Sequence, residues 1–355
     1  MSILFENHSG TLLSVEAYLN SFLNRNKSIR INGNLFKIYS PYKNLSAVKK
    51  KKKTKSLNGE PENIDLRYQE FEKEILEIQN TYSQLLLELR NQQLLTEPLE
   101  HHTKNKIALD TADSVYNESG RYLIDDVVGS NIGPLVIKTL QHSKFIIPEN
   151  CKFLSKNVNE IDKYLSKEQF DLILLDPPWW NKYIRRKKKK SPHDAYKMMY
   201  NCDLKEIPVD KLLSNNGIVV VWCTNSFQHL NTLLEDIFPK WKVSFVAKWY
   251  WLKITVHGEP ICEFSKPPGK QPFEQIIIGC RDLKANNLPR NGKILLSVPS
   301  AIHSHKPPLD QVLKAFLPEN PRCLEIFARY LLPNWTSYGN EVLRLQHESM
   351  YIFNE

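Results

Sequence analysis

The sequence predicts an α/β fold: a mostly parallel sheet with helices on both faces, preceded by an N-terminal region that carries an amphipathic helix. Three observations support this. From about residue 120, short β-branched runs alternate with helical patterns. Several of those runs are apolar almost without a break, as expected of strands covered on both faces. Between residues 71 and 89, apolar side chains recur at helical spacing.

In chain order, residues 1–46 read as an N-terminal accessory segment, in which "SIRINGNLFKIYSPY" predicts a hairpin around Asn32-Gly33. Residues 47–63 read as a lysine-rich linker, 64–120 as a helical accessory region and 121–355 as the main α/β domain. Within the accessory region Phe71, Ile75, Ile78, Tyr82, Leu85 and Leu89 are spaced 4, 3, 4, 3 and 4 apart, one continuous stripe. It spans fewer than three heptads, too little for a free coiled coil, so it predicts packing on the chain's own core. A protein partner bound through residues 64–95 is the alternative. Strands are expected at "KFLSKNV", "FDLILLD", "GIVVVWCT", "VSFVAKWYWLKI", "FEQIIIGC", "KILLSVPS" and "RCLEIFAR". Helices are expected at "DLKEIPVDKLL", "NSFQHLNTLLEDIF" and "PLDQVLKAFL". No long helix separates the closing strands, so an antiparallel edge is expected.

Composition narrows the function classes. No apolar run approaches the ~20 residues of a membrane helix. The start "MSILFENHSG" lacks the pattern of a secretory signal, and six scattered cysteines form no CxxC pair. These features predict an intracellular protein with reduced thiols. The net charge of +9 is concentrated in two places, six lysines in residues 47–55 and seven basic residues in 182–190. Without them the chain would be net acidic, so the basicity is a local patch suited to a polyanion or to nuclear import.

The segment "DLILLDPPWW" brings an acid to the end of an apolar strand, where open α/β sheets bind ligands. Proline offers a carbonyl and no N–H. Asp176, Pro177 and Pro178 therefore converge acceptors with little competing donor nearby, and Trp179 adds a flat aromatic face. The matching guest is an aromatic amine such as adenine or cytosine. Its amino group is a poor nucleophile because the lone pair is delocalised into the ring. Hydrogen bonds from its two protons to Asp176 and the Pro177 carbonyl would draw the nitrogen towards tetrahedral geometry and aim the lone pair at an electrophile.

Together "FLSKNV", "DLILLDPPWWNK", "SVPSAIHSHKPPLDQVLK", "LEIFARYLLPNWTSYGNEVL" and "QHESMYIF" resemble the METTL-type adenine-N6 methyltransferases over roughly residues 130 to 355. The "HSHKPPL", "NEVL" and "DPPW-x-NK" forms are most similar to the methyltransferase-like four branch. The resemblance implies a Rossmann-like class I methyltransferase fold, S-adenosyl-L-methionine as cofactor, and N6-methylation of 2′-O-methyladenosine in U2 small nuclear RNA. DNA adenine is the alternative substrate, and a non-catalytic RNA-binding subunit the alternative role.

The resemblance also implies that Lys306 binds the cofactor's carboxylate, that Glu325, Phe327 and Arg329 line its ribose and methionine parts, and that Asn340 and Glu341 hold the ribose hydroxyls. Asn157 and Val158 would read its adenine edge, with Asp176 bordering cofactor and substrate alike. Two departures stand out: Asn157 replaces a frequent Asp, and the stretch from Arg329 to Trp335 is short and lacks a His-Asn pair.

The second basic cluster begins close to the motif. Asn181, Lys182, Arg185, Arg186 and Lys187 would grip phosphates around a target base, and Tyr196 would stack on it. A base must leave its stack to reach the motif, so single-stranded or loop RNA is the expected partner, with DNA as the alternative. His303 and His305 form an HxH without a third ligand at metal-binding spacing, so no metal is expected. A nuclear or cytoplasmic location completes the expectation.

Overall fold

A computed structural model describes residues 2–23, 28–42, 61–97, 105–119, 124–180, 198–283 and 287–353. Its strands are β1 (Ile3–Glu6), β2 (Gly10–Leu13), β3 (Ile29–Ile31), β4 (Val128–Asn131), β5 (Val136–Leu140), β6 (Ser143–Ile147), β7 (Cys151–Leu154) and β8 (Phe170–Leu175). They continue with β9 (Leu213–Cys223), β10 (Ser244–Lys253), β11 (Phe273–Cys280), β12 (Ile294–Ser297), β13 (Cys323–Ile326), β14 (Trp335–Tyr338) and β15 (Tyr351–Phe353). The three longest-stemmed accessory helices are α1 (Val15–Leu23), α2 (Pro61–Asn91) and α3 (Lys106–Ser119).

Eleven strands form one sheet in the order β1-β2-β12-β10-β11-β9-β8-β13-β14-β7-β4. The block β9-β8-β13-β14-β7 is parallel throughout. The near-continuous apolar strands explain why: alternate side chains of β8 and β9 go to opposite faces. Leu172, Leu174, Ile218, Val220 and Trp222 enter one core, and Ile173, Leu175, Val219, Val221 and Cys223 the other. Both faces are therefore covered, the Rossmann-like arrangement that the sequence predicts. Antiparallel pairs close both edges, β1 with β2 and β4 with β7. An antiparallel strand also lies inside the sheet, where β11 runs between β9 and β10.

All seven expected strands are present. The helical stretch "DLKEIPVDKLL" is split into Asn201–Lys205 and Val209–Leu212, with Pro208 preceding the second piece. The stripe residues of α2 are all buried, against Leu12, Tyr250, Leu252, Phe273, Ile294 and Leu296. Helix α2 thus packs on the chain's own sheet. The N-terminal segment joins the same sheet, because β2 pairs in parallel with β12.

The hairpin expected at Asn32-Gly33 does not form. The Asn32 side chain instead accepts the Asn34 N–H at 3.2 Å and starts a short 3₁₀ helix, Gly33–Phe36. β3 pairs with β15 from the far end of the chain. A hairpin that the sequence did not announce joins β5 to β6, and its turn residues Gln141 and His142 both take positive φ, 48° and 71°. The lysine run at 49–55 lies outside the described residues.

Candidate active site

Strand β8 delivers Asp176 to the carboxyl end of the parallel block, and its N–H donates to the Ile326 carbonyl at 3.4 Å. The two prolines follow the end of the strand. Pro177 accepts the Trp179 N–H at 2.8 Å, which leaves one of its lone pairs for a guest. Pro178 accepts the Met199 N–H at 2.9 Å. The chain on either side of the basic cluster is therefore pinned at the motif. The expected substrate residues Asn181, Lys182, Arg185, Arg186, Lys187 and Tyr196 themselves lie outside the described residues.

Trp179 is firmly anchored. Its indole N–H donates to the Trp222 carbonyl at 2.8 Å, its ring stands 4.9 Å from that of His229, and only 5% of the residue is exposed. His229 is itself fixed, with Nε2 3.0 Å from the Trp180 carbonyl and Nδ1 3.0 Å from the Asn201 side chain. Burial lowers its pKa, with the Trp180 carbonyl opposing.

Four charges meet beside the prolines. Lys306 Nζ lies 3.5 Å from Asp176 Oδ1 and also pairs with Glu274, which pairs in turn with Lys253. The Lys306 ammonium sits over the Trp222 ring, 5.2 Å from its centroid. Burial raises the Asp176 carboxyl above its ordinary range, and Lys306 and Arg329 offset part of that shift. Burial pushes Glu274 the same way, but Lys253 and Lys306 overcome it and hold that carboxyl well below the usual range. Lys306 is held charged by Asp176 and Glu274 against a burial cost. Glu274 and Lys253 escaped the sequence reading. The available signal was a lone acid inside "FEQIIIGC", and its meaning needed the antiparallel pairing that sets Glu274 opposite Trp251.

The residues implied for the cofactor stand at the ends of neighbouring strands. Asn157 and Val158 follow β7, Glu325 and Phe327 end β13, and Asn340 follows β14. These strands lie side by side with β8 in the order β8-β13-β14-β7, a row roughly 14 Å across at ~4.8 Å per step. Glu325 is 4% exposed, and its Oε2 has no hydrogen-bond partner among the described residues. Burial, then the Asp176 charge, pushes its pKa to about 8, with Arg329 opposing. A buried carboxyl with an unpartnered oxygen fits a ligand bearing hydroxyl or ammonium donors. Phe327 takes a left-handed φ of 66°, and Gly339 supports it from β14. A Cβ on Gly339 would lie 3.1 Å from the Phe327 Cα.

Two implied residues have partners within the chain. Glu341 pairs with Arg329 at 3.2 Å and with Arg344, and so anchors Arg329. The Asn157 side chain caps a turn by accepting the Asn159 N–H at 3.1 Å, and its carbonyl accepts the Tyr338 hydroxyl at 2.9 Å. The HxH histidines do not converge: His305 packs between Phe36 and Tyr330, while His303 is exposed. Among the described residues, no three His, Cys, Asp or Glu side chains are grouped as a metal site would require.

A cavity of about 950 Å³ is lined by Asp176, Pro177, Pro178, Trp179 and Lys306. Of the residues implied for the cofactor, Asp176, Lys306 and Arg329 line it, whereas Asn157, Val158, Glu325, Phe327, Asn340 and Glu341 do not. Asp176 thus belongs both to the strand-end row and to the lining of the cavity.

The MT-A70 family pattern matches residues 170–341, from the first residue of β8 to Glu341. The chain is similar to the N(6)-adenine-specific methyltransferase METTL4 of Homo sapiens, 36% identical over 265 residues that cover 72% of this chain and 54% of that protein. It is 34% identical over 254 residues to the DNA N6-methyl methyltransferase of Caenorhabditis elegans, covering 70% of this chain and 67% of the other. It is 33% identical over 239 residues to the N6-methyladenosine RNA methyltransferase MTA1 of Cryphonectria parasitica, covering 66% and 70%.

The chain belongs to the MT-A70 family.

It spans about half the length of the human and mouse METTL4 proteins, 54% and 50%. The MT-A70 match takes in the motif, the four-charge cluster and the ends of β13 and β14, whereas α2, α3 and β7 with Asn157 and Val158 lie before it.

Proposed function

We propose that the chain methylates the N6 amine of adenine in nucleic acid, using S-adenosyl-L-methionine, and that its substrate is RNA, specifically 2′-O-methyladenosine of U2 small nuclear RNA as in the methyltransferase-like four branch. The supporting observation is the position of Asp176, where the strand-end row and the 950 Å³ cavity meet. Bound in that row, S-adenosyl-L-methionine would supply an electrophilic methyl carbon on its sulfonium.

The chain's own residues would do the rest. The Asp176 carboxylate and the remaining Pro177 lone pair would accept the two amine protons and turn the nitrogen lone pair towards the methyl carbon. The positive charge that develops on N6 would be stabilised by Asp176, and the proton would leave once the N–CH₃ bond has formed and the C–S bond has broken. Lys306 would meet the cofactor carboxylate, which would replace part of its pairing with Asp176.

The similarity to a DNA N6-methyl methyltransferase, at an identity close to that of the RNA-modifying relative, favours DNA adenine as the second reading. Incubation with labelled cofactor and RNA or DNA, followed by mass spectrometry of nucleosides, tests both. N6-methyladenine label appearing in RNA above DNA is the expected result, and label in neither would reject the activity. Calorimetry of cofactor binding separates an enzyme from a non-catalytic subunit, which would bind none.

A further inference from the structure

The cavity beside Asp176 is not walled by the catalytic sheet alone. Tyr42, Tyr68 on α2 and Leu109 on α3 line it together with Phe227. Its volume of about 950 Å³ is at the top of the roughly 300–1,000 Å³ of small-ligand pockets, and Lys306 and Arg329 line it together with the motif. Tyr68 stands edge-on to Phe227, ring centroids 5.5 Å apart, and Phe227 meets the buried Phe71 at 5.4 Å. Tyr68 is only half-buried, so its ring is braced from behind while part of it remains accessible. Tyr42 is also half-buried, with its N–H donating to the Ile261 carbonyl at 2.7 Å and its side chain against the Ala108 and Ile261 cluster. Both are aromatic side chains that line the same cavity as the amine-binding motif.

We propose that Tyr42 and Tyr68 form a second subsite that stacks on the base of a nucleotide next to the target adenine. This rests on the methyltransferase reading and adds what the motif cannot supply, a hold on the strand rather than on the reacting base. Stacking of this kind tolerates any base, because every base presents a π face. The subsite therefore predicts a requirement for a neighbouring base without strict preference for which one. It also gives the N-terminal elements a share in substrate binding, although they lie outside the family match.

The test compares the full chain with its Tyr42→Ala and Tyr68→Ala variants on single-stranded oligonucleotides carrying one adenine. One set has intact neighbours, and others have an abasic residue on the 5′ or the 3′ side of that adenine. Each variant is expected to raise KM at least about five-fold on the intact substrate, with the effect on KM rather than kcat. One abasic substrate should show a similar loss with the unaltered chain, and the alanine variants should lose little more on it. Tyr→Phe variants should keep KM, and cofactor affinity by calorimetry should stay unchanged. An unchanged KM in both alanine variants, or an equal penalty on intact and abasic substrates, overturns the subsite while leaving the methyltransferase reading in place. Failure of the unaltered chain to methylate any oligonucleotide overturns both.

Discussion

Asp176 is asked to be a carboxylate in surroundings that resist charge. Burial raises its pKa, so acidification should protonate it while ordinary carboxylic acids are still ionised. Methyl transfer should therefore decline on the acid side at a pH above the usual aspartate range, measurable as the acid limb of the kcat/KM profile. Burial raises Glu325 as well, and there the consequence is for stability. Its folded pKa of about 8 exceeds the ordinary value of 4.5, so the folded state holds its proton more tightly than the unfolded chain. The stabilisation this gives is complete below pH of about 4.5 and is lost as pH rises through about 8. Glu325→Gln should remove that loss, so its melting temperature should gain on the unaltered chain between pH 5 and 9. Parallel curves would contradict the buried, unpartnered carboxyl.

Much of this was legible residue by residue. The motif Asp176-Pro177-Pro178 could be read because acceptor, rigid angle and absent donor are properties of the residues themselves. Glu274 and Lys253 could not, since their meaning arises only when β10 and β11 pair. The anchoring of Trp179 could not be read either, because Trp222 and His229, which hold its N–H and stand against its ring, are distant in sequence.

Among the elements, α2 and the β14 loop invite the plainest tests. Leu85 is 1% exposed, and its methyl groups press on Gly10 of β2. Leu85→Ala should cost about 2–5 kcal/mol in denaturant unfolding, as a buried leucine with little room to collapse. A cost under about 0.5 kcal/mol, the level of an exposed substitution, would mean that α2 leaves the sheet in solution. Gly339 has φ of 155° and no space for a side chain beside Phe327. Gly339→Ala should displace Phe327 and weaken cofactor binding by calorimetry, with little change in oligonucleotide binding. The elements also show what periodicity conveys. The α2 stripe and the seven strands follow directly from apolar spacing. The β5–β6 hairpin does not, because Gln141 and His142 take left-handed angles that Gly or Asn would normally signal. Asn32-Gly33 gave such a signal, and local capping by the Asn32 side chain took it over.

Over the whole molecule, charge, cavity and strand row divide the work. The row β8-β13-β14-β7 carries residues proposed for the cofactor, the cavity is lined by the motif together with Lys306 and Arg329, and Asp176 belongs to both. The overall sheet was readable from sequence, whereas the contribution of Tyr42, Tyr68 and Leu109 to the cavity was not, because it depends on three separate segments folding onto the sheet. The central claim is that Asp176 grips the adenine amine. Its most direct test is the rate of methyl transfer by Asp176→Ala, measured alongside cofactor affinity and thermal stability. Loss of a charge-stabilising acceptor predicts a fall of at least about 100-fold in kcat with the cofactor still bound and the fold intact. Transfer at the unaltered rate by that variant would contradict the account.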